Sequence, residues 1–217
     1  MFEWKITCAL VKKDLLFNRG VIAGSLFFLL AWSVIAWVEL KFTELLDVDG
    51  FIFAIALAAF GMMPTIYACK KENTPSTKQF MASLPVSKKN IFVSKFLALI
   101  ISALLTSGLL GCVTKVLGLG FSFHYIIFGM AISICFGAAY ILINYMRDFQ
   151  VAQCFFVGIF VIAVLFEQYG GVRISSLSVF KNSGILALTV GILIFISCCV
   201  IHILVKGANG DERNIKG

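Results

Sequence analysis

Apolar residues fill the chain in long unbroken runs, and polar residues collect in the intervals between them. The runs are roughly Val21–Leu40, Phe51–Ala68, Ile91–Val113, Tyr125–Asn144, Val151–Phe166 and Gly184–Val205. A helix of about 20 residues, rising 1.5 Å per residue, covers a hydrocarbon core of about 30 Å. Most of the runs satisfy this. The fifth is short and recruits Gln150 and Glu167–Tyr169 at its ends. A membrane β-barrel would show strands of about ten residues with alternating polarity. These runs do not alternate, so the pattern predicts an all-α integral membrane fold with six transmembrane helices. Pro64, within Gly61-Met62-Met63-Pro64, should kink the second near its inner end.

Ahead of the spans, Met1–Asn18 is patterned differently. At 100° per residue, Phe2, Ile6, Leu10 and Phe17 form one apolar stripe, and Trp4, Cys8, Val11 and Leu15 a second. Glu3, Thr7, Asp14 and Asn18 separate them on one side, with Lys5 and Lys12 on the other, while Lys13 intrudes on the first stripe. The expectation is an interfacial helix with one stripe toward lipid and one toward protein. Charged residues interrupt this opening and no small-residue cleavage site follows Val21–Leu40, so that run is expected to be an uncleaved span.

The longest polar interval, Cys69–Lys95, holds six lysines (Lys70, Lys71, Lys78, Lys88, Lys89, Lys95) against one acid, Glu72. Thr74-Pro75-Ser76 breaks the chain, Ser76 or Thr77 can cap a short helix through about Ser83, and Pro85 forces Leu84 out of helical geometry. Phe80, Met81 and Leu84 fall on one side of that helix, and Ser87 can cap the third span. A solvated loop whose lysines meet anionic lipid is the alternative. The segment Glu167–Ser183, with Gly170-Gly171, is too short to span; it either dips into the outer leaflet or rests on the surface.

Composition strengthens the membrane assignment. The chain is 60% hydrophobic and 13% charged, with a mean hydropathy of +1.00, whereas a soluble domain carries about a quarter charged residues. The formal charge of +7 mostly sets orientation. With both termini inside, every lysine and arginine except Lys41, Lys115, Arg173 and Lys181 falls on the inner side. No basic stripe with interleaved aromatics lies in a soluble region, so no nucleic-acid partner is expected. The seven cysteines form neither a disulfide framework nor a metal-ligand spacing, and His124 and His202 sit far apart at span ends. No metal site and no catalytic residue is predicted.

The chain contains no phosphate-cradling G-x-x-x-x-G-K-[ST] loop, no H-E-x-x-H, no G-x-S-x-G, and no Asp, Glu or Arg in mid-span. Asn144 and Gln153, near the inner ends of their spans, are read either as helix–helix glue or as polar contacts along a pathway. A membrane protein without energy-coupling chemistry, yet with a structured basic inner loop, points to a permease driven by a separate ATPase.

Two motifs carry a family resemblance. Ser83-Leu84-Pro85-Val86-Ser87-Lys88-Lys89-Asn90-Ile91, continuing to Ser94-Lys95-Phe96, resembles the inner-loop signature of bacterial ABC-2 type permeases, and Leu10-Val11-Lys12-Lys13-Asp14-Leu15-Leu16 resembles their L-x-x-K-D-L opening. The six-span plan covers the whole chain. The resemblance implies a type V exporter-like permease fold, with residues 1–20 as an elbow helix (Trp4, Leu10, Lys12, Lys13, Asp14), a transmembrane domain over 21–205, an inner coupling loop over 69–90, and a cytoplasmic tail over 206–217. Thr77, Lys78, Phe80, Met81, Ser83, Leu84 and Pro85 would form the ATPase-contacting element. Implied partners are a cytoplasmic ATPase dimer carrying ATP and Mg, a second permease subunit (identical or paralogous), and membrane lipids; the chain itself would hold no cofactor. The outer segment Glu167–Ser183 is smaller than is usual for such permeases. In size the chain is similar to permeases of peptide exporters, including those for bacteriocins and phenol-soluble modulins. A non-transporting immunity or scaffold subunit is the competing expectation, and a membrane-embedded enzyme a third.

Overall fold

A computed structural model describes residues 4–38, 50–83, 86–118, 123–146 and 150–154, with single positions at 157, 158, 189, 192, 196, 197 and 199. For residues 50–53, 78, 80–82, 88 and 146 the backbone alone is described. The described residues form helices α1 (Trp4–Phe17), α2 (Arg19–Val38), α3 (Gly50–Glu72), α4 (Pro75–Ser83), α5 (Lys88–Leu117) and α6 (Phe123–Met146). Three stretches, Arg19–Val38, Lys89–Leu117 and Phe123–Tyr145, are long and apolar enough to cross a membrane. The predicted fifth and sixth runs, the outer segment Glu167–Ser183 and the 206–217 tail fall largely or wholly outside the described residues.

Local chemistry places the helix ends. Ser87 is the N-cap of α5, in extended geometry (φ −67°, ψ 142°), and its hydroxyl accepts from the Asn90 N–H at 3.3 Å. Gly118 ends the same helix in the left-handed conformation (φ 63°), where a side chain would be strained. α4 starts at Pro75, one or two residues before the capping positions expected from the sequence. Proline suits the first helical position because its missing N–H is not needed there. The preceding Thr74 hydroxyl bonds the Lys71 carbonyl at 2.9 Å and the Thr77 hydroxyl at 2.8 Å.

α3, α5 and α6 form the centre, with α2 against α3 and α5 and with α1 mainly against α5. α3 and α6 run side by side in one direction, Gly129 meeting Ala54 near one end and Asn73 bonding Asn144 near the other. Small residues permit this approach, as is usual where lipid supplies no hydrophobic drive for association. A Cβ added at Gly129 would lie 2.6 Å from the Ala54 carbonyl oxygen. Across α3 and α5, Ser102 donates to the Gly61 carbonyl at 2.9 Å, a carbonyl in the turn before Pro64, where the ring weakens the backbone ladder.

Apolar packing divides into two clusters. Leu29, Ala36, Leu57, Leu110 and Ile126 fill the end where α5 finishes and α6 begins. Met62, Cys69, Leu99, Tyr140 and Ile141 fill the opposite end, together with Ala152 from the stretch after α6. The second cluster lies beneath a group of buried charges.

α1 does not follow its apolar stripes. Its buried positions are Thr7, Val11 and Asp14, continued by Asn18 just beyond its end: the strip that the sequence suggests as a polar divider, plus one valine. Trp4, Leu16 and Phe17 are exposed, Cys8 likewise, while Ile6, Leu10 and Leu15 are half-buried. Of the two apolar stripes, only Val11 is buried among the described residues. The reason lies on α5, which presents a buried ammonium group to this helix and draws a carboxylate inward.

Candidate functional site at one end of the bundle

Lys95 lies two turns inside α5, 2% exposed, among buried Asn90 and Ser94. Its Nζ is 2.9 Å from Asp14 Oδ2 on α1 and 2.6 Å from Glu72 Oε1 at the end of α3. Lys13 closes the group from the rim, 3.3 Å from Asp14 Oδ1 and 3.5 Å from Glu72 Oε1. Tyr145 of α6 donates to Glu72 Oε2 at 3.1 Å and packs its ring edge-on against Phe92, with centroids 4.5 Å apart. Asn73 Nδ2 donates to Asn144 Oδ1 at 2.8 Å.

Two lysines thus face two carboxylates, and four helices meet in one charge-neutral group. Such neutrality is what a low-dielectric location demands, because an isolated buried charge costs several kcal/mol, whereas a compensated set is tolerated. α4 begins three residues after Glu72, so a two-residue link joins the short helix to the ion cluster. A cavity of about 370 Å³ opens between α1, the end of α3 and the start of α4, with Asp14, Asn18, Lys71, Glu72 and Thr77 among its walls.

The predicted residues are distributed as follows. Asp14 and Lys13 of the elbow set enter the cluster; Trp4 and Lys12 are exposed, and Leu10 is half-buried. Thr77 lines the cavity, and Ser83, exposed, is the last residue of α4. The side chains of Lys78, Phe80 and Met81, and the residues Leu84 and Pro85, lie outside what is described. Asn144 is held by Asn73 as an interhelical bond, and Gln153 is exposed on the stretch after α6.

Sequence reasoning missed Lys95 and Glu72 as a pair. The signal was present: Lys95 falls within the apolar run Ile91–Val113, where an ionisable residue calls for a partner. The two motif fragments, Lys13-Asp14 and Ser94-Lys95, are the segments that this ion pair joins.

Among the described residues no group of three or more His, Cys, Asp or Glu could hold a metal ion. Every element among the described residues is a helix, and three are long and apolar enough to cross a membrane, which fits an integral membrane protein. Residues 9–205 match the family model described as ABC-2 family transporter protein, and the chain belongs to that family. No curated protein and no solved structure matches it.

Proposed function

We propose that this chain is the permease subunit of an ABC-2 exporter, pairing with a second permease subunit and powered by a separate cytoplasmic ATPase that docks on α4. One observation carries the coupling role: α4 is joined by two residues, Asn73 and Thr74, to Glu72, whose carboxylate meets Lys95 of α5 and, through it, Asp14 of α1. A displacement of α4 by an ATPase would therefore reach the elbow helix and a membrane span through one side chain. The substrate is expected to be amphipathic (a peptide, a lipid-like molecule or a drug), as for the peptide-exporter permeases that the chain resembles in size.

The test is co-purification with a P-loop ATPase encoded beside this chain. Combined Phe80→Ala and Leu84→Ala is expected to lose at least about 2 kcal/mol of docking energy, roughly thirtyfold in affinity, with the membrane fold intact. Lys78→Ala should weaken docking slightly, and only at low salt. Retention of the ATPase and of full ATPase coupling by the double variant would remove α4 as the docking element. An ATPase that binds normally yet never responds to any amphipathic substrate would favour the scaffold alternative.

The same reading expects both termini in the cytoplasm and six spans in the plasma membrane, on the bias of lysine and arginine toward the inner segments. In a background free of native cysteines, a cysteine at position 49 or 176 should react with an impermeant maleimide from outside, and one at 76 or 212 should not. External labelling at 76 would overturn this topology.

A further inference from the structure

The cavity between α1, α3 and α4 has features that its ion cluster does not use. Lys13, Lys71 and Lys95 face only Asp14 and Glu72 across it, which leaves one positive charge uncompensated. That charge is Lys71. Its Nζ lies 4.1 Å from the Phe17 ring centroid and 4.7 Å from that of Tyr67, and among the described residues no carboxylate is within ion-pair distance. Thr77 and the exposed Ser76, in the first turn of α4, line the same cavity. Backbone N–H groups of a first helical turn have no partner within the helix and favour an anion.

A second observation points to a ligand with hydrogen-bond donors. Asn18 is 3% exposed and lines the cavity; its Nδ2 is spent on the Asp14 carbonyl at 2.9 Å, and its Oδ1 has no hydrogen-bond partner. Such a buried acceptor calls for an O–H or N–H from whatever enters. Phe17, also on the wall, is 64% exposed, with Leu16 beside it at 58%, so an apolar surface continues outward from the rim.

We infer that this cavity binds the headgroup of an anionic phospholipid bearing free hydroxyls, such as phosphatidylglycerol. The phosphodiester is held by Lys71 and the first turn of α4, a headgroup hydroxyl donates to Asn18 Oδ1, and an acyl chain follows Phe17 and Leu16. One negative charge balances Lys71, which a net-neutral headgroup does not. The occupied site would bridge the interfacial helix and α4, so lipid composition would set how firmly α4 is held.

Intact-mass measurement of the full chain released from detergent micelles tests the site, with phosphatidylglycerol, phosphatidylcholine or inorganic phosphate titrated in turn. One phosphatidylglycerol is expected to bind at least tenfold more tightly than phosphatidylcholine. Lys71→Gln should weaken it about tenfold, the scale of losing one charge-assisted hydrogen bond. Lys71→Arg should retain it, and so should Lys70→Gln, which changes a neighbouring exposed lysine outside the cavity wall. If Lys71→Gln cannot be purified, Ser76→Asp, which places a negative charge on the exposed rim, should produce the same loss. Equal binding of the two lipids, or an unchanged affinity in Lys71→Gln, would overturn the proposal. Displacement of the lipid by inorganic phosphate at equal concentration would overturn it too, as it would mark a site for the free anion.

Discussion

Lys95→Met is expected to leave little folded protein in detergent extracts. The ammonium is 2% exposed and neutralises two carboxylates at 2.6 and 2.9 Å. Without it, Asp14 and Glu72, whose side chains are 6% and 15% exposed, keep Lys13 as their one counter-charge among the described residues, with the Tyr145 hydroxyl still donating to Glu72. That lysine is 45% exposed and more than 3 Å from both, so water screens its contribution. Removing one partner of a buried ion pair costs about 3–5 kcal/mol, because the other charge is left uncompensated. Against a typical total of roughly 5–15 kcal/mol this is a large fraction. Asp14→Asn should cost less, as Glu72 remains on Lys95. Combining Lys95→Met with Asp14→Asn and Glu72→Gln should restore much of the loss, since a neutral set needs no compensation. Thermal unfolding of each variant, read by size-exclusion elution after heating, gives the order directly. Lys95→Met with unaltered stability would mean that the cluster is not held as described.

The second large effect is expected at Gly129. A methyl group there would lie 2.6 Å from the Ala54 carbonyl oxygen and 3.0 Å from its Cα. Both are backbone atoms, so the strain cannot be relieved by rotating a side chain. Overpacking of this kind costs about 1–3 kcal/mol, and here it would separate α3 from α6 over the length they share. Gly108→Ala is the matched control. Nothing lies within 4 Å of its added methyl, and a glycine inside a helix gives up roughly 1 kcal/mol relative to alanine. The melting temperature should fall for Gly129→Ala and stay level or rise for Gly108→Ala. Equal behaviour of the two would deny the close α3–α6 approach.

Much of this architecture is legible in the apolar runs, because a helix in lipid must be both long and apolar, and those demands leave a strong mark. Ser87 as a cap is legible too: a hydroxyl before a lysine-rich helix start has one economical use. The orientation of α1 is not. Its two apolar stripes carry the larger side chains, yet Thr7, Asp14 and Asn18 are the groups turned inward. Periodicity reports which positions share a face, not which face a neighbour requires. Here the neighbour's requirement is set by Lys95, about 80 residues away, and a pairing over that distance is invisible to any local window. Glu72 was hidden for a related reason: a lone acid among six lysines reads as part of a solvated loop until the ends of α3 and α5 are brought together. Whether Phe80, Met81 and Leu84, expected on one side of α4, dock an ATPase is a matter for the docking experiment, since those side chains are outside the described residues.

The pairing of Asp14 with Lys95 also constrains how the protein is made. During synthesis α1 leaves the ribosome long before Lys95, the buried counter-ion of Asp14, exists. At about 5–20 residues per second, roughly 80 residues represent several seconds. Through that interval the Asp14 carboxylate must remain hydrated, so α1 is expected to stay where water reaches it. Only when the start of α5 enters the bilayer does a lysine arrive that permits the helix to settle. Docking of α1 is therefore a late event, set by a residue made about 80 positions after Asp14, and a nascent chain truncated before Lys95 should present α1 to a quality-control protease as an unfinished product.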